Sequence, residues 1–423
     1  MSGLLKRLER TLKGRTESFD EPTSSLSHEL DSNNALLTRI TSGYADFVNF
    51  ADLKGATECE TPYGTSHQIV TVYPLDHRHG NFMLERLYDA DCTQFASLAG
   101  DARLDTFIPD DALFLDIEAT GLDHGAGTFA FMVGLGYRQN DSFIVKQLFL
   151  PDMHEELPML HVLKEHLDRF RFLISFNGKS YDLTVLQSRM IIQRLYSKEE
   201  CQLKLQPHLD LLHLARNMYR KCFENTRLPT LEESLLEFHR IDDVPSALVP
   251  TMWFEFLRTG NASSIKLVAD HNLYDVLSMV ALAGLTARHS HRNGVPSLRA
   301  SQVALNLGRV WMRRKHSKEA IAAFEVAEDE MLDDADINDK YAGLGKAYGR
   351  LEQYHEQGNA LARWCESRPE EADAWTAYAI FQERRAKKFE SALDAAQRAH
   401  QLASSQTTLR RVARLQRRLE KSR

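Results

Sequence analysis

Asp116 and Glu118 stand two residues apart in LFLDIEATGLD, residues 113–123. Side chains alternate along an extended strand, so this spacing aims both carboxylates at one face. Leu113, Phe114, Leu115 and Ile117 around them are apolar, the mark of a short buried strand on which two acids repel each other. Hydrogen bonds, a raised pKa or a bound cation relieve such repulsion, and hard cations such as Mg²⁺ and Mn²⁺ favour oxygen ligands. A strand that ends early, leaving Glu118 solvated on a loop, is the alternative this stretch leaves open.

Two further stretches carry acids. FNGKSYDLTVL, residues 176–186, turns at Asn177–Gly178 and sets Asp182 at the opening of a helix. Orphan amides and the helix dipole favour an acid there on structural grounds alone. ADHNLYDV, residues 269–276, lies inside an apolar periodic helix and places His271 and Asp275 four apart, on one face. A buried His–Asp pair is equally open to a structural role. Asp210 is an extra acid on a neighbouring strand, read as solvated or capping rather than as a ligand.

The elements that must position these groups follow from hydrophobic period and turn chemistry. Residues 128–137 and 142–150 are apolar runs joined by RQND, a hairpin composition, so three adjacent antiparallel strands are expected. Leu157, Leu160, Leu163, Leu167 and Phe170 share one helical face, and a strand at 172–176 follows. A helix between strands makes a right-handed parallel crossover. A helix at 181–195, a strand at 208–212 and a helix at 213–219 complete the order of a ribonuclease-H-like α/β domain. Helices at 231–238, 249–257 and 263–285 are expected to cover the sheet, with Thr230 and Glu233 in capping-box spacing at the start of the first. Residues 59–111 read as a small lead-in subdomain or edge cover, with a strand at 68–73 and a turn at 79–81.

From residue 300 the pattern changes to helix pairs with a period of roughly 34 residues, as a tetratricopeptide-like array shows. Leu307–Gly308 with Trp311, Leu344–Gly345 with Tyr348, and Tyr378 with Phe381 occupy comparable first-helix positions. A generic helical bundle is the alternative. The segment 409–423 has seven basic residues against one acid, which suits a solvated face or contact with phosphate or an acidic partner. The expected domains are a flexible tail at 1–45, with a short amphipathic helix possible at 4–12, an α/β domain at 46–295 with its lead-in at 46–110, and the helical repeats at 296–423. Residues 60 to 290 are expected to fold without the remainder.

Together, a DxE strand, an Asp at a strand-to-helix switch with Asn upstream, and a late helix with HxxxD resemble the three motifs of the DEDD exonuclease superfamily. The nearer resemblance is to its YprB-type branch of ribonuclease-H-like domains. HLDLLHLAR at 208–216, the stretch 227–260 containing HRIDDVPS, and HNLYDVLSMVALAGL at 271–285 agree with it. The resemblance spans about 60 to 290 and implies a 3′-to-5′ exonuclease on single-stranded DNA or RNA that uses two Mg²⁺ or Mn²⁺ ions. It implies Asp116, Glu118, Asp182 and Asp275 as ligands, with Asp116 bridging, and His271 as general base. Relatives with a His base set it five residues before the last Asp, and those with Tyr set it four before; here a His stands at the Tyr spacing. Thr120, Gly121 and Leu122 match a turn that touches the terminal nucleotide in relatives, or only close the strand. Asn177 orients the second motif or contacts substrate. A ribonuclease-H-like endonuclease is the alternative activity. An inactive nucleic-acid-binding or assembly scaffold acting through the repeats is the alternative from another class.

Composition constrains the rest. With 52 basic against 59 acidic residues the chain carries −7, so any attraction for nucleic acid must be local. Five scattered cysteines without a CxxC pair exclude a zinc or redox motif of that type and suit a cytoplasmic setting. No run approaches the ~20 apolar residues that span a bilayer, so no membrane association is expected. A protein partner is expected on the repeats.

Overall fold

The computed structural model of the protein describes residues 46–121, 127–197, 206–241, 243–291 and 299–421. Its strands are β1 (Ala56–Thr61), β2 (Gly64–Pro74), β3 (Arg78–His79), β4 (Phe82–Met83), β5 (Ala112–Ala119), β6 (Ala130–Gln139), β7 (Ser142–Phe149), β8 (Phe172–Ser175) and β9 (His208–Asp210). Seven of them form one mixed sheet in the order β1-β2-β7-β6-β5-β8-β9, and β3 with β4 makes a separate ribbon.

β5, β6 and β7 are antiparallel neighbours, as the hairpin signal required. Asn140, at φ 54°, turns the β6–β7 connection, a conformation Asn tolerates better than most residues. Helices α1 (Glu156–Arg169) and α2 (Asp182–Ile192) connect β7 to β8 and β8 to β9, and β8 runs parallel to both β5 and β9. The lead-in segment lies at the edge of the main sheet, the second of its two expected readings. Its strands β1 and β2 extend the main sheet, with β2 antiparallel to β7 from His67 to Pro74.

β5 divides two cores. Leu113, Leu115 and Ile117 pack in a cluster with α1, α2 and α4 (Val249–Thr259), whereas Ala112 and Phe114 pack in a second cluster with α3 (Leu211–Met218) and the C-terminal half of α5 (Ser263–Ser290). Asp116 and Glu118 continue the Ala112–Phe114 row. The helix expected at 231–238 is instead a short turn of helix, Leu228–Leu231, followed by a π-turn at Glu232–Leu236. Thr230 lies inside that turn and its hydroxyl bonds to Asn225 Oδ1 at 2.7 Å, so the expected cap does not form; Pro229 in the first turn favours an earlier start.

The C-terminal helices pair as α6 (Ala300–Arg313) with α7 (Ser317–Val326), α8 (Asp334–Arg350) with α9 (Tyr354–Ser367), and α10 (Ala372–Phe381) with α11 (Phe389–Leu402); α12 (Gln406–Glu420) closes the array. On α12 Val412 and Leu415 are buried, and Arg411 and Arg414 reach Glu383 at 3.0 and 2.7 Å. Part of that basic segment therefore holds the array together. The first helix, α6, packs on α3, and Asn306 donates to the carbonyls of Met218 and Arg220 at 3.1 and 2.8 Å. One buried cluster runs without a break from Phe95 and Met218 through Leu305 to Phe324 and Trp364. The tail and its helix at 4–12, Leu122, Cys201 and most of the expected boundary near 295 lie outside the described residues.

Candidate metal centre

Asp116 and Glu118 project from β5 toward α5. Glu118 is buried and Asp116 is half-buried, with its carboxyl enclosed by the other acids. The β5–β6 register shifts between Glu118 and Ala119, a bulge of the kind that re-aims side chains beside active sites. Asp182 enters from the first turn of α2. Asp275 and His271 arrive together from α5, one turn apart.

These groups converge. Ligand atoms of Glu118, His271 and Asp275 all lie within 4.8 Å of one another, a set that can hold a metal ion. Asp116 feels the charges of Asp275, Glu118 and Asp182, and Asp182 feels those of Glu118 and Asp275. Burial, followed by those neighbours, drives Asp116 and Asp182 well above the usual carboxylate range. Burial also pushes Glu118 up to about 8, against the pull of His271. Burial alone lowers His271, but Asp275, Asp243 and Glu118 outweigh it and raise the imidazole to about 9. Among the described residues, Asp182 Oδ2 is buried with no hydrogen-bond partner, an orphaned acceptor of the kind that a buried ligand position leaves.

Several positioning groups were not assigned from the sequence. Asn272, fully buried beside His271, donates from Nδ2 to Asp116 Oδ2 at 2.8 Å. Its Oδ1 accepts from Gln147 Nε2 at 2.9 Å, and the same Gln147 nitrogen donates to the Ala269 carbonyl at 2.7 Å. Gly134, the β6 partner of Asp116, makes room for this: a Cβ there would sit 2.3 Å from Asn272 Oδ1. Asp243 holds His271 Nδ1 at 2.6 Å. Arg240 is gripped by buried Glu232 at 2.6 and 2.7 Å and donates to Asp275. Ser278 supports Glu232 at 2.5 Å and meets His79 Nε2 at 2.7 Å, so the polar chain ends in the β3–β4 ribbon. HRIDDVPS was visible as a motif, and Gln147 as a polar residue inside an apolar strand, but neither signal named a partner.

The other expected residues are placed as follows. Thr120 and Phe129 exchange two bonds, the Thr120 amide donating to the Phe129 carbonyl at 2.9 Å and the Phe129 amide donating to the Thr120 hydroxyl oxygen at 3.0 Å, so Thr120 ties the end of β5 to the approach to β6. The Gly121 carbonyl accepts from the Tyr181 hydroxyl. Asn177, at φ 71°, is exposed, and its amide donates to Asp210 Oδ1 at 2.9 Å. Asp210 is buried rather than solvated: it also binds the Lys179 amide at 3.1 Å and caps α3 at Leu212. It thereby shapes the loop that delivers Asp182. Gly178 in that loop is tight, since a Cβ would lie 2.4 Å from Ser175 Oγ and 3.0 Å from Asp182 Oδ2. A cavity of about 840 Å³ opens beside the cluster, lined among others by Asp116, Asp275, His271, Asn177, Arg216 and Arg227.

Residues 113–287 match the RNase_H superfamily, and the mixed sheet with its flanking helices is a ribonuclease-H-like fold followed by an all-helical region. The chain is 28% identical over 268 residues to the uncharacterized protein YprB of Bacillus subtilis (strain 168), a match covering 62% of this chain and 63% of that protein. The match thus spans less than two thirds of the relative's length. Ribonuclease-H-like nucleases generally use divalent metals, and the acidic cluster has the donor chemistry for one. Among the described residues no helix is long and apolar enough to cross a membrane.

Proposed function

We propose that this protein is a metal-dependent 3′-to-5′ exonuclease of the DEDD type acting on single-stranded DNA or RNA. The observation that carries the reading is the convergence of Asp116, Glu118, Asp182 and Asp275 from three separate elements into one buried cluster. Four like charges out of water are costly, and a structural role needs no such set. The oxygen donors and the orphaned Asp182 Oδ2 suit two hard cations, Mg²⁺ or Mn²⁺. Bound there, such ions neutralise phosphate charge and lower the pKa of an attacking water.

The protein's own groups account for the rest. Asp243 holds His271 Nδ1, which turns Nε2 toward Glu118 and Asp275, at 4.0 and 3.8 Å. When the carboxylates are neutralised they hold the imidazolium less strongly, and His271 reaches the neutral form that accepts a proton. This geometry supports His271 as the general base in this reading, despite its four-residue spacing from Asp275. Asn272 and Gln147 hold Asp116 in place, and Arg240, anchored on Glu232, adds a positive charge at the cleft edge where phosphate arrives. Thr120 and Gly121 stand at the end of β5, held by Phe129 and Tyr181, and Asn177 lines the cavity on the substrate side.

A 5′-labelled single strand incubated with the full chain and Mg²⁺ or Mn²⁺ is expected to shorten one nucleotide at a time. Internal fragments identify the endonuclease instead, and no cleavage of either DNA or RNA with either ion overturns the reading.

A further inference from the structure

The −7 charge provides no general attraction for a polyanion, so a strand must be led to the cluster by a local device. Arg216 and Arg227 line the cavity beside the carboxylates, and both are exposed. Arg216 lies near the end of α3, whose next turn presents exposed Arg220; exposed Arg313, at the end of α6, bonds through Nη2 to Asn217 Oδ1 at 2.9 Å. The backbone here is fixed, because buried Asn306 on α6 binds the carbonyls of Met218 and Arg220. These arginines thus sit on surfaces locked together where the nuclease-like domain meets the array.

Their neighbours have other commitments. Lys221 pairs with Asp333 and Asp336, Arg309 with Asp336 and Asp339, and Arg314 donates to the Ala99 carbonyl. Arg227, Arg216, Arg220 and Arg313 make no ion pair among the described residues. Burial and the nearby charges of Arg314, Arg309 and Arg220 depress the pKa of Arg313, so this gathering of cations is unfavourable in the free protein. Unpaired like charges held at a rigid junction gain their compensation from an anion of matching length.

We propose that Arg227, Arg216, Arg220 and Arg313 form a track for the phosphodiester backbone of one strand, running from the carboxylate cluster onto the first helix of the array. The track rests on the nuclease reading, and it makes the array part of the substrate-binding surface. Phosphate contacts position a strand without reading its sequence, so the track serves any single strand.

The test is fluorescence anisotropy with the full chain in EDTA, using deoxythymidine and uridine dodecamers across a salt series, alongside cleavage of the same strands with Mn²⁺. Arg220→Glu with Arg313→Glu is expected to weaken binding by at least about tenfold and to shrink the salt slope by about 1.4, taking ~0.7 per lost phosphate contact. Trimers should lose less than dodecamers. The two sugars should respond alike, and a loss confined to one would overturn a phosphate track. Arg398→Glu, a single arginine-to-glutamate change on α11, should bind as wild type. Should the glutamate variant melt early, Arg220→Ala with Arg313→Ala must give the same sign. Dodecamer affinity and salt slope equal to wild type, with cleavage retained, overturn the track and leave the nuclease intact. A wild type that neither binds nor cleaves either strand overturns both.

Discussion

Asp243 Oδ1 and His271 Nδ1 stand 2.6 Å apart, joining the loop before α4 to the N-terminal half of α5. A carboxylate on one ring nitrogen fixes the tautomer and leaves the other to face the reacting centre. His271→Ala is expected to slow strand hydrolysis by ~10²–10⁴-fold, as for a positioned general base, with partial recovery at higher pH. Asp243→Asn should give a smaller loss and shift the pH profile, because the imidazole loses its carboxylate. Single-turnover rates across pH check both; full activity in His271→Ala moves the base elsewhere.

Asp116→Asn removes one of four crowded carboxylates and keeps the side chain's size and its acceptor for Asn272. Nuclease activity should fall to background. The metal-free variant should melt at or above wild type, because like-charge repulsion is relieved. Paired melting curves in EDTA and Mn²⁺ are decisive: a variant that keeps the wild-type Mn²⁺ shift is not missing a ligand.

Asn272→Ala strips Asp116 of its donor and should cost about 1–3 kcal/mol while weakening Mn²⁺ binding. Gly134→Ala should reproduce the metal defect without removing a polar group, because its Cβ collides with Asn272 Oδ1. Isothermal titration with Mn²⁺ tests the pair. Wild-type affinity in Gly134→Ala would mean that Asn272 is free to move aside.

The metal-free cluster should make stability fall as pH rises. Glu118 goes from an ordinary 4.5 to about 8 and His271 from 6.5 to about 9, while Asp116 and Asp182 are also raised. A raised folded pKa gives stability that is full below the unfolded value and lost as pH climbs through the folded one. The loss therefore runs between about pH 5 and 9. Divalent ions displace those protons, so the Mn²⁺-induced rise in melting temperature should grow from pH 6 to pH 8. Parallel melting profiles with and without Mn²⁺ would count against the cluster as the binding site.

The expectation that residues 60 to 290 fold without the remainder meets the continuous core between α3 and α6. Cutting at residue 291 uncovers Leu214 and Met218 and leaves the Met218 and Arg220 carbonyls without Asn306. The fragment 46–291 is expected to melt well below the full chain and to aggregate more readily. Equal melting would restore the independent domain.

The alternation of β5, the hairpin turn at Asn140, the crossover helices and the C-terminal helix pairs starting at Ala300, Asp334 and Ala372 were legible, because each depends on residues near in sequence. So was the DxE spacing, which a strand turns into two acids on one face. Local rules failed at Thr230, where Pro229 and the π-turn changed the helix start. They could not place Asn272 on Asp116, 156 residues away, or Asp243 on His271, 28 away, since no periodicity links them. Nor could they give Arg240 to Glu232 and Asp275, or carry β1 and β2 into the main sheet. Those pairings follow from which faces bury together when the sheet closes against α5, and burial is settled only by the assembled chain.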